Sequence, residues 1–319
     1  MGKYEESISD YDEAINLKPI FPEAWNNRGN SKNFLKKYNE AISDLDEAIK
    51  LKSILPEAWN NRGISKANLE RFHEAIVDFD EAIKLNSDYI DAWNNRGLAK
   101  ANLEKYQEAI VDFDEAIKLN SDYIDAWNNR GLAQANLEKY QEAIVDFDEA
   151  IKLNPDDNKA FMNIGYVFTL LEKHEEALHR YNIAIKLQEN YSEAWLQRAI
   201  TLTRLNRYKE ALNDFNKALE IAPDDIRLKV SRGVLFSWIG HHEQSLEICD
   251  IVLKNNTNNV DALYAKSCCY ALQNNIEDSV KYLNLAIAQN PNMTKKRARR
   301  DPEFNGIREN SRFQELVNG

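Results

Sequence analysis

Tryptophan returns at a fixed interval of 34 residues, and this period restricts the fold of the chain more than any other feature of the sequence. The tryptophan column reads Trp25, Trp59, Trp93, Trp127, Phe161, Trp195, Lys229 and Leu263. A glycine column follows four residues later, at Gly29, Gly63, Gly97, Gly131 and Gly165, then Ala199, Gly233 and Ser267. A short repeat cannot bury its own apolar side, so neighbouring repeats must stack.

Apolar positions inside each repeat follow the period of an α-helix. From Tyr38 they recur at Ala41, Ile42, Leu45, Ala48 and Ile49, which form one helical stripe. A preceding stretch carries Ala24, Trp25 and Gly29 on the side expected to be buried. Each repeat is therefore predicted to be a helical hairpin with its tryptophan in the core. Small residues at Gly29 and Ala41 suit a close crossing of the two helices.

These columns, Trp, then Gly, then Tyr-x-x-Ala, then Phe-x-x-Ala, resemble the tetratricopeptide repeat. The resemblance implies an all-α fold, a right-handed α-solenoid (superhelix) of stacked 34-residue hairpins. Where the family usually has leucine, three residues after the tryptophan, this chain mostly has arginine, as at Arg28 and Arg62. We expect an N-terminal half-repeat with only its second helix over residues 1–21, eight tandem repeats over 22–293, and a capping segment over 294–319.

Composition narrows the functional classes. The net charge of −11 argues against a nucleic-acid binder, which needs positive charge to displace counterions from phosphate. RNA-binding helical repeats of 35 residues have a different period and usually a basic surface. No apolar run is long enough for a membrane helix. The three cysteines form no disulfide framework, which indicates a reducing compartment, and we expect a cytoplasmic protein.

Catalytic and metal-binding patterns are not recognisable in the sequence, so we expect no enzyme and no cofactor. His174 and His179 are five residues apart, which places them on different sides of a helix. The recurring acidic run at 78–81 is expected to be a solvated face, with Asp78 near enough to pair with Arg62 or Arg96.

Asparagine pairs recur on the face of the first helices that a helical projection leaves free. In the family this face lines a concave groove, and groove asparagines can hold a peptide backbone. We therefore expect peptide binding through Asn26, Asn27, Asn60, Asn61, Asn94, Asn95, Asn128, Asn129 and Asn163. The alternative is that these amides keep the groove soluble or stabilise adjoining helices.

The later repeats place apolar side chains at the same positions. The expected binding residues there are Tyr166, Leu196, Ile200, Val234 and Trp238. The tail resembles the terminal cap of many bacterial members of the family, so we expect it to continue the stack and leave this groove open. Alternatives are that the tail, through Phe304, Ile307 and Phe313, covers the groove, or that its basic run at 295–300 binds nucleic acid.

A non-catalytic protein–protein interaction scaffold that holds an extended peptide or partner segment is the predicted function. The alternative is a regulatory or targeting subunit of an enzyme complex. Residues 85–118 and 119–152 differ only at Lys100 and Gln134, and a binding surface tolerates such a duplication better than an active site does. Self-association through the uncapped half-repeat is a further expectation.

Overall fold

The computed structural model describes residues 2–318, and all regular elements in that range are helical. The first helices of the repeats are α2 (Pro22–Phe34), α4 (Pro56–Asn68), α6 (Ile90–Asn102), α8 (Ile124–Asn136), α10 (Asn158–Leu170), α12 (Ser192–Arg204), α14 (Ile226–Trp238) and α16 (Val260–Leu272). The second helices are α1 (Gly2–Leu17), α3 (Tyr38–Leu51), α5 (Phe72–Leu85), α7 (Tyr106–Leu119), α9 (Tyr140–Leu153), α11 (His174–Leu187), α13 (Tyr208–Ile221), α15 (His242–Asn255) and α17 (Ile276–Gln289). The predicted all-α solenoid of hairpins is confirmed.

The tail adds three short elements to this series. They are α18 (Pro291–Arg300), a 3₁₀ turn (Pro302–Phe304) and α19 (Ser311–Asn318). The chain divides into two compact units, of which one ends at Asn163 and the other begins at Ile164. Within each unit, first helices pack against the second helix of their own repeat and of the preceding one, as α4 does with α5 and α3.

In the core between the two helices of a repeat, a large side chain from the second helix packs against a glycine of the first helix. Phe113 is fully buried, and a Cβ added to Gly97 would lie 2.6 Å from the Phe113 ring. At Gly29 an added Cβ would lie 3.2 Å from the backbone oxygen of Ala41, so the predicted close crossing is confirmed. Each of the first five complete hairpins thus buries one large side chain at this position: Leu45, Phe79, Phe113, Phe147 and Tyr181.

The tryptophans lie at the edge of this core, and the prediction that they fill it is wrong. Trp93 is half-buried, packed between repeats against Ala82, Ile83 and Ala92. Its indole Nε1 donates to the Ser87 backbone oxygen at 2.8 Å, a bond that fixes the loop before α6. An indole with one polar edge keeps that edge near the loop, which a period count cannot reveal.

Arginines from the first helices connect neighbouring repeats. Arg96 donates through Nε and Nη2 to both oxygens of Asp112 in its own repeat, at 3.0 and 2.7 Å. Its Nη1 donates to Asp80 of the preceding repeat at 2.6 Å, and the guanidinium lies 4.6 Å from the Trp93 ring centroid. Equivalent arrangements exist at Arg28, Arg62 and Arg130.

The acidic run is therefore only partly the solvated face that we expected. Asp78 is buried under Arg62, as the sequence suggested, whereas Asp80 keeps about half of its side chain exposed. The buried carboxylate needs this pairing, because an uncompensated buried charge costs several kcal/mol.

Left-handed backbone occurs at the turn between the two helices of each repeat. Glu70 has a φ of +60°, and Arg71 N–H donates to the Lys66 oxygen in the pattern that closes a helix C-terminus. Equivalent positions hold Asn206, Gly240 and Asn274, which tolerate this conformation better than glutamate does. Asparagine and glycine at this position of the later repeats therefore indicate the left-handed turn in the sequence itself.

Replacing Glu70 by glycine should raise the free energy of unfolding by about 0.5–1 kcal/mol, because glycine adopts positive φ without the steric cost of a Cβ. The same replacement of Glu81, inside α5, should lower it by about 1 kcal/mol. Urea denaturation followed by circular dichroism measures both. Effects of the same sign would contradict the role of the turn.

The two nearly identical repeats differ in how they compensate their buried aspartate. Lys100 Nζ lies 2.7 Å from Asp112, in addition to Arg96. In the next repeat Gln134 takes the lysine position, and its Oε1 is buried without a hydrogen-bond donor among residues 2–318. Burial raises the pKa of Asp146 above the ordinary 3.8, although Arg130 opposes this shift. The single difference between the repeats thus removes a charge partner.

Gln134→Lys should therefore stabilise the chain at pH 7 by about 1–2 kcal/mol, because it supplies the missing cation. Because the pKa of Asp146 is raised in the folded state, the parent chain loses stability as the pH rises from 3.8 through that pKa. At pH 3.5 this loss is absent, so the stabilisation by Gln134→Lys should be smaller there than at pH 7.

The reverse change Lys100→Gln, in the matched repeat, should cost a similar amount at pH 7. Urea unfolding of both variants at the two pH values provides the measurement. A gain that is equal at both pH values would show that charge compensation is not the cause.

Candidate functional site

The first asparagine of each pair is buried, which corrects the expectation that it faces a free surface. Asn26, Asn60, Asn94 and Asn128 are each at most 8% exposed, and Asn163 is also buried. A helical projection treats one helix alone, whereas the first helix of a neighbouring repeat covers this position. Asn60 Nδ2 donates to the Tyr89 hydroxyl at 3.3 Å, and Asn128 Nδ2 donates to Asp157 at 2.7 Å.

The second asparagine of each pair connects one repeat to the next. Asn61 Nδ2 donates to Asn26 Oδ1 at 3.0 Å. Asn95 donates to Asn60 at 3.1 Å, and Asn129 donates to Asn94 at 2.9 Å. The alternative expectation, that these amides stabilise adjoining helices, therefore applies to both members of the pairs.

A free acceptor remains on each of these bridging amides. The Oδ1 atoms of Asn61, Asn95 and Asn129 accept no hydrogen bond within the described chain, and their side chains are half-exposed. Asn27, at the start of the series, is exposed, and its Oδ1 accepts from Asn26. The second to fourth complete repeats therefore present three such carbonyl oxygens, whereas Asn163, at the equivalent position of the fifth, is buried.

An open cleft of about 430 Å³ lies between α4, α5 and α6, and Asn95 is among the residues that line it. Its apolar lining includes Ile64, Phe72 and Leu98, and Leu98 is 37% exposed. Its polar lining includes Asn68, Asn95 and Asn102. Asn68 and Asn102 each donate from Nδ2 to the backbone oxygen four residues before them. This combination suits an apolar side chain flanked by peptide N–H donors.

In the second compact unit, the expected apolar residues are largely enclosed. Leu196 is 4% exposed, and Ile200 packs with it into the core around Phe215. Tyr166, Val234 and Trp238 are half-buried. The expected apolar strip is therefore largely interior packing, because Ile200 and Val234 belong to clusters that include side chains of the next repeat.

The tail lies on this surface through Asp301, so the expectation of an open groove at this end is wrong. Asp301 accepts from the Tyr264 hydroxyl at 2.9 Å and from Arg297 Nε at 3.0 Å. Its second oxygen lies 3.3 Å from Arg204 Nη2, on α12. One carboxylate thereby connects the tail to two first helices, α12 and α16.

Two further tail residues complete this contact. Glu303 accepts from Trp238 Nε1 at 3.2 Å, while its other oxygen is buried without a donor in the part of the chain described. Phe304 is fully buried, with its ring edge-on to Tyr264 at 5.7 Å and 5.2 Å from Phe313. The apolar residues of the tail were visible in the sequence. The roles of Asp301 and Glu303 were missed, because they require a reversal after α18.

Glu303→Gln should stabilise the chain by about 1–2 kcal/mol at pH 7. Burial and the nearby Asp301 raise the pKa of Glu303, so the ionised form is disfavoured, while a glutamine oxygen still accepts from Trp238. The gain should diminish toward pH 4, where the carboxyl of the parent chain is protonated. Thermal unfolding at both pH values tests this, with the exposed Glu309→Gln as a control expected to have little effect.

In residues 2–318, histidine, cysteine and acidic side chains form no group of three or more that could hold a metal ion. Across the same range, no helix has both the length and the apolar composition needed to cross a membrane.

Comparison with known protein families gives a consistent assignment along the chain. A model described as tetratricopeptide repeat matches residues 56–89, 90–123, 124–157 and 192–225, and another with the same description matches 22–54 and 260–293. A model described as TPR repeat matches residues 1–32. Residues 157–205 also match a model of anaphase-promoting complex subunit 5, a similarity limited to that segment. No curated protein matches the chain.

Solved structures share the fold. A tetratricopeptide repeat protein from Parabacteroides merdae ATCC 43184 is 17% identical, with a TM-score of 0.60 over 76% of this chain and 96% of that one. The pilF protein of Pseudomonas aeruginosa is 17% identical, with a TM-score of 0.53 over 65% of this chain and 94% of that one. A thermophilic repeat protein of Thermus thermophilus is 21% identical, with a TM-score of 0.53 over 57% of this chain and 99% of that one.

Proposed function

Because the chain belongs to the tetratricopeptide repeat family, whose repeats are protein–protein interaction modules, we propose that it is a non-catalytic scaffold that binds an extended segment of a partner protein. We place the binding surface on the first helices of the first compact unit. The observation that carries this proposal is the cleft lined by the exposed Leu98 and by Asn95, whose amide oxygen accepts no hydrogen bond within the described chain.

The chemistry of the cleft specifies the segment. An extended backbone can donate N–H groups to the Oδ1 atoms of Asn61, Asn95 and Asn129, which recur once per repeat. Each such bond contributes about 0.5–1.5 kcal/mol net, so affinity requires several repeats together with an apolar anchor. An aliphatic or aromatic side chain seated against Leu98 and Ile64 would supply that anchor.

The second compact unit contributes less to this proposal. Its corresponding surface is enclosed by packing and covered near Trp238 and Tyr264 by the tail. Contact with a partner at Leu196, or at the first asparagine of each pair, would require those buried side chains to move. The row of amide oxygens needs no such change.

A peptide-display selection against the purified chain tests the proposal. Selected peptides should carry an apolar residue, and Leu98→Asp should weaken their binding at least tenfold, since it places a charge against the apolar anchor. Fluorescence anisotropy of synthetic peptides measures the affinity.

Val111→Asp is the matched control, because Val111 is an exposed aliphatic residue on a second helix outside the cleft. It should leave peptide affinity unchanged. Equal losses in the two variants, or no loss in either, would rule out the cleft as the binding surface.

We further propose that the protein acts in the cytoplasm. Its three cysteines are free and buried, and burial raises the pKa of the Cys249 thiol to about 12, which keeps that thiol protonated. Such thiols contribute as small apolar side chains and suit a reducing compartment.

A further inference from the structure

In four repeats, the arginine of the first helix binds two carboxylates. Arg96 binds Asp112 of its own repeat, which is buried and which we name the inner carboxylate. Arg96 also binds Asp80 of the preceding repeat, which we name the outer carboxylate and whose side chain is about half exposed. The same two partners are present at Arg28, Arg62 and Arg130.

Two later repeats lack one of these carboxylates and keep the other. Arg198 has an asparagine at the outer position and still binds Asp214 at the inner position. Lys266, which replaces the arginine in the eighth repeat, has a tyrosine at the inner position and still binds Asp250 at the outer position. Both cations thus retain an anion, which agrees with the cost of leaving a buried charge uncompensated.

Arg232, in the seventh repeat, has neither carboxylate. Ile248 is at its inner position and Asn216 at its outer position. The guanidinium donates from Nη1 to Asn216 Oδ1 at 3.1 Å, while its Nε is buried without an acceptor in residues 2–318. Because the inner position is filled by an aliphatic side chain, the outer position, where Asn216 is exposed, is the one open to an anion.

Lys229 adds a second cation beside Arg232. It is at the position of Trp93, whose ring centroid lies 4.6 Å from the Arg96 guanidinium. Since Lys229 comes three residues before Arg232 on α14, the two side chains lie on one face of the helix, with their Cβ atoms about 5–6 Å apart. Lys229 forms no ion pair within the described chain. The replacement therefore removes an aromatic cover from the guanidinium and adds a positive charge.

We propose that Arg232 and Lys229 bind an acidic segment of a partner protein, with one carboxylate at the outer position of Arg232 and a second on Lys229. In an extended segment, alternate residues point to the same side about 6–7 Å apart, so the two acidic residues are separated by one other residue. Nucleic acid is disfavoured as the ligand by the net charge of −11. This proposal does not depend on the cleft lined by Asn95, because both cations lie in the second compact unit.

The variant Asn216→Asp tests whether Arg232 lacks an anion. The new carboxylate restores the outer partner, so the melting temperature of the intact chain should rise by about 1–2 °C. Asn213→Asp, which adds the same charge at another exposed residue of α13, should not raise it. Differential scanning fluorimetry measures both variants.

Titration of the intact chain with the synthetic peptide Gly-Ser-Asp-Ser-Asp-Ser-Gly tests binding, followed by the Nε–H resonance of Arg232 in NMR spectra. This resonance should shift saturably, and the affinity should fall as salt is added, because partly exposed charges are screened. The peptide with asparagine in place of both aspartates should cause no shift.

Chain variants locate the site. Asn216→Asp should weaken peptide binding about tenfold, because its carboxylate then occupies the outer position. Lys229→Gln should weaken it about threefold, whereas Lys209→Gln, which removes the same charge from an exposed residue of α13, should change it less than about twofold.

A titration without a saturable shift of the Arg232 resonance would overturn the proposal. Equal peptide affinity of the parent chain and of Asn216→Asp would also overturn it, since the carboxylate would then bind elsewhere. Tighter binding of a single-stranded oligonucleotide than of the acidic peptide, lost in Lys229→Gln, would assign the site to nucleic acid instead.

Discussion

The ion pairs of the arginine that six of the eight first helices carry are the interaction on which the order of the repeats depends. In the third complete repeat, one guanidinium binds the buried Asp112 through two donors, reaches Asp80 of the preceding repeat with a third, and covers the ring of Trp93. Planar, always-charged arginine can make all of these contacts at once, which lysine cannot. The family's usual leucine at this position would leave Asp112 with Lys100 as its one cationic partner within the described chain. Arginine and aspartate therefore form one structural unit that is duplicated with the repeat.

The arginine–aspartate pair is not present in every repeat. In the fifth complete repeat, Ile164 replaces the arginine and Arg180 replaces the aspartate, so both members are absent together. Tyr181 and Thr169 then form a buried hydroxyl pair beside the core. The division of the chain into two compact units, at Asn163 and Ile164, falls in this repeat. In the seventh complete repeat, by contrast, Ile248 replaces the aspartate alone, and Arg232 Nε is buried without an acceptor in the described chain.

The asparagine side chains divide between buried contacts and free acceptors in a similar way. Asn94 is buried and receives a hydrogen bond from Asn129, while the oxygen of Asn129 stays free. One amide can do both because it carries a donor and an acceptor at different atoms. The tail shows the opposite outcome, since Asp301 uses both oxygens on Arg204, Tyr264 and Arg297 within the chain. Surfaces of equivalent helices thus differ in what they leave for a partner.

The sequence by itself determined the hairpins, their boundaries near Pro22 and Tyr38, the close crossing at Gly29 and the family, because a period of 34 residues and a helical stripe are local properties of the chain. The sequence also indicated that Asp78 lies near enough to pair with Arg62. Only the tertiary structure decided that tryptophans lie at the edge of the core, that one asparagine of each pair is buried, and that the tail reverses onto α12 and α16. Those outcomes depend on the helix of the next repeat, or on residues 97 positions apart. A projection of one helix contains neither.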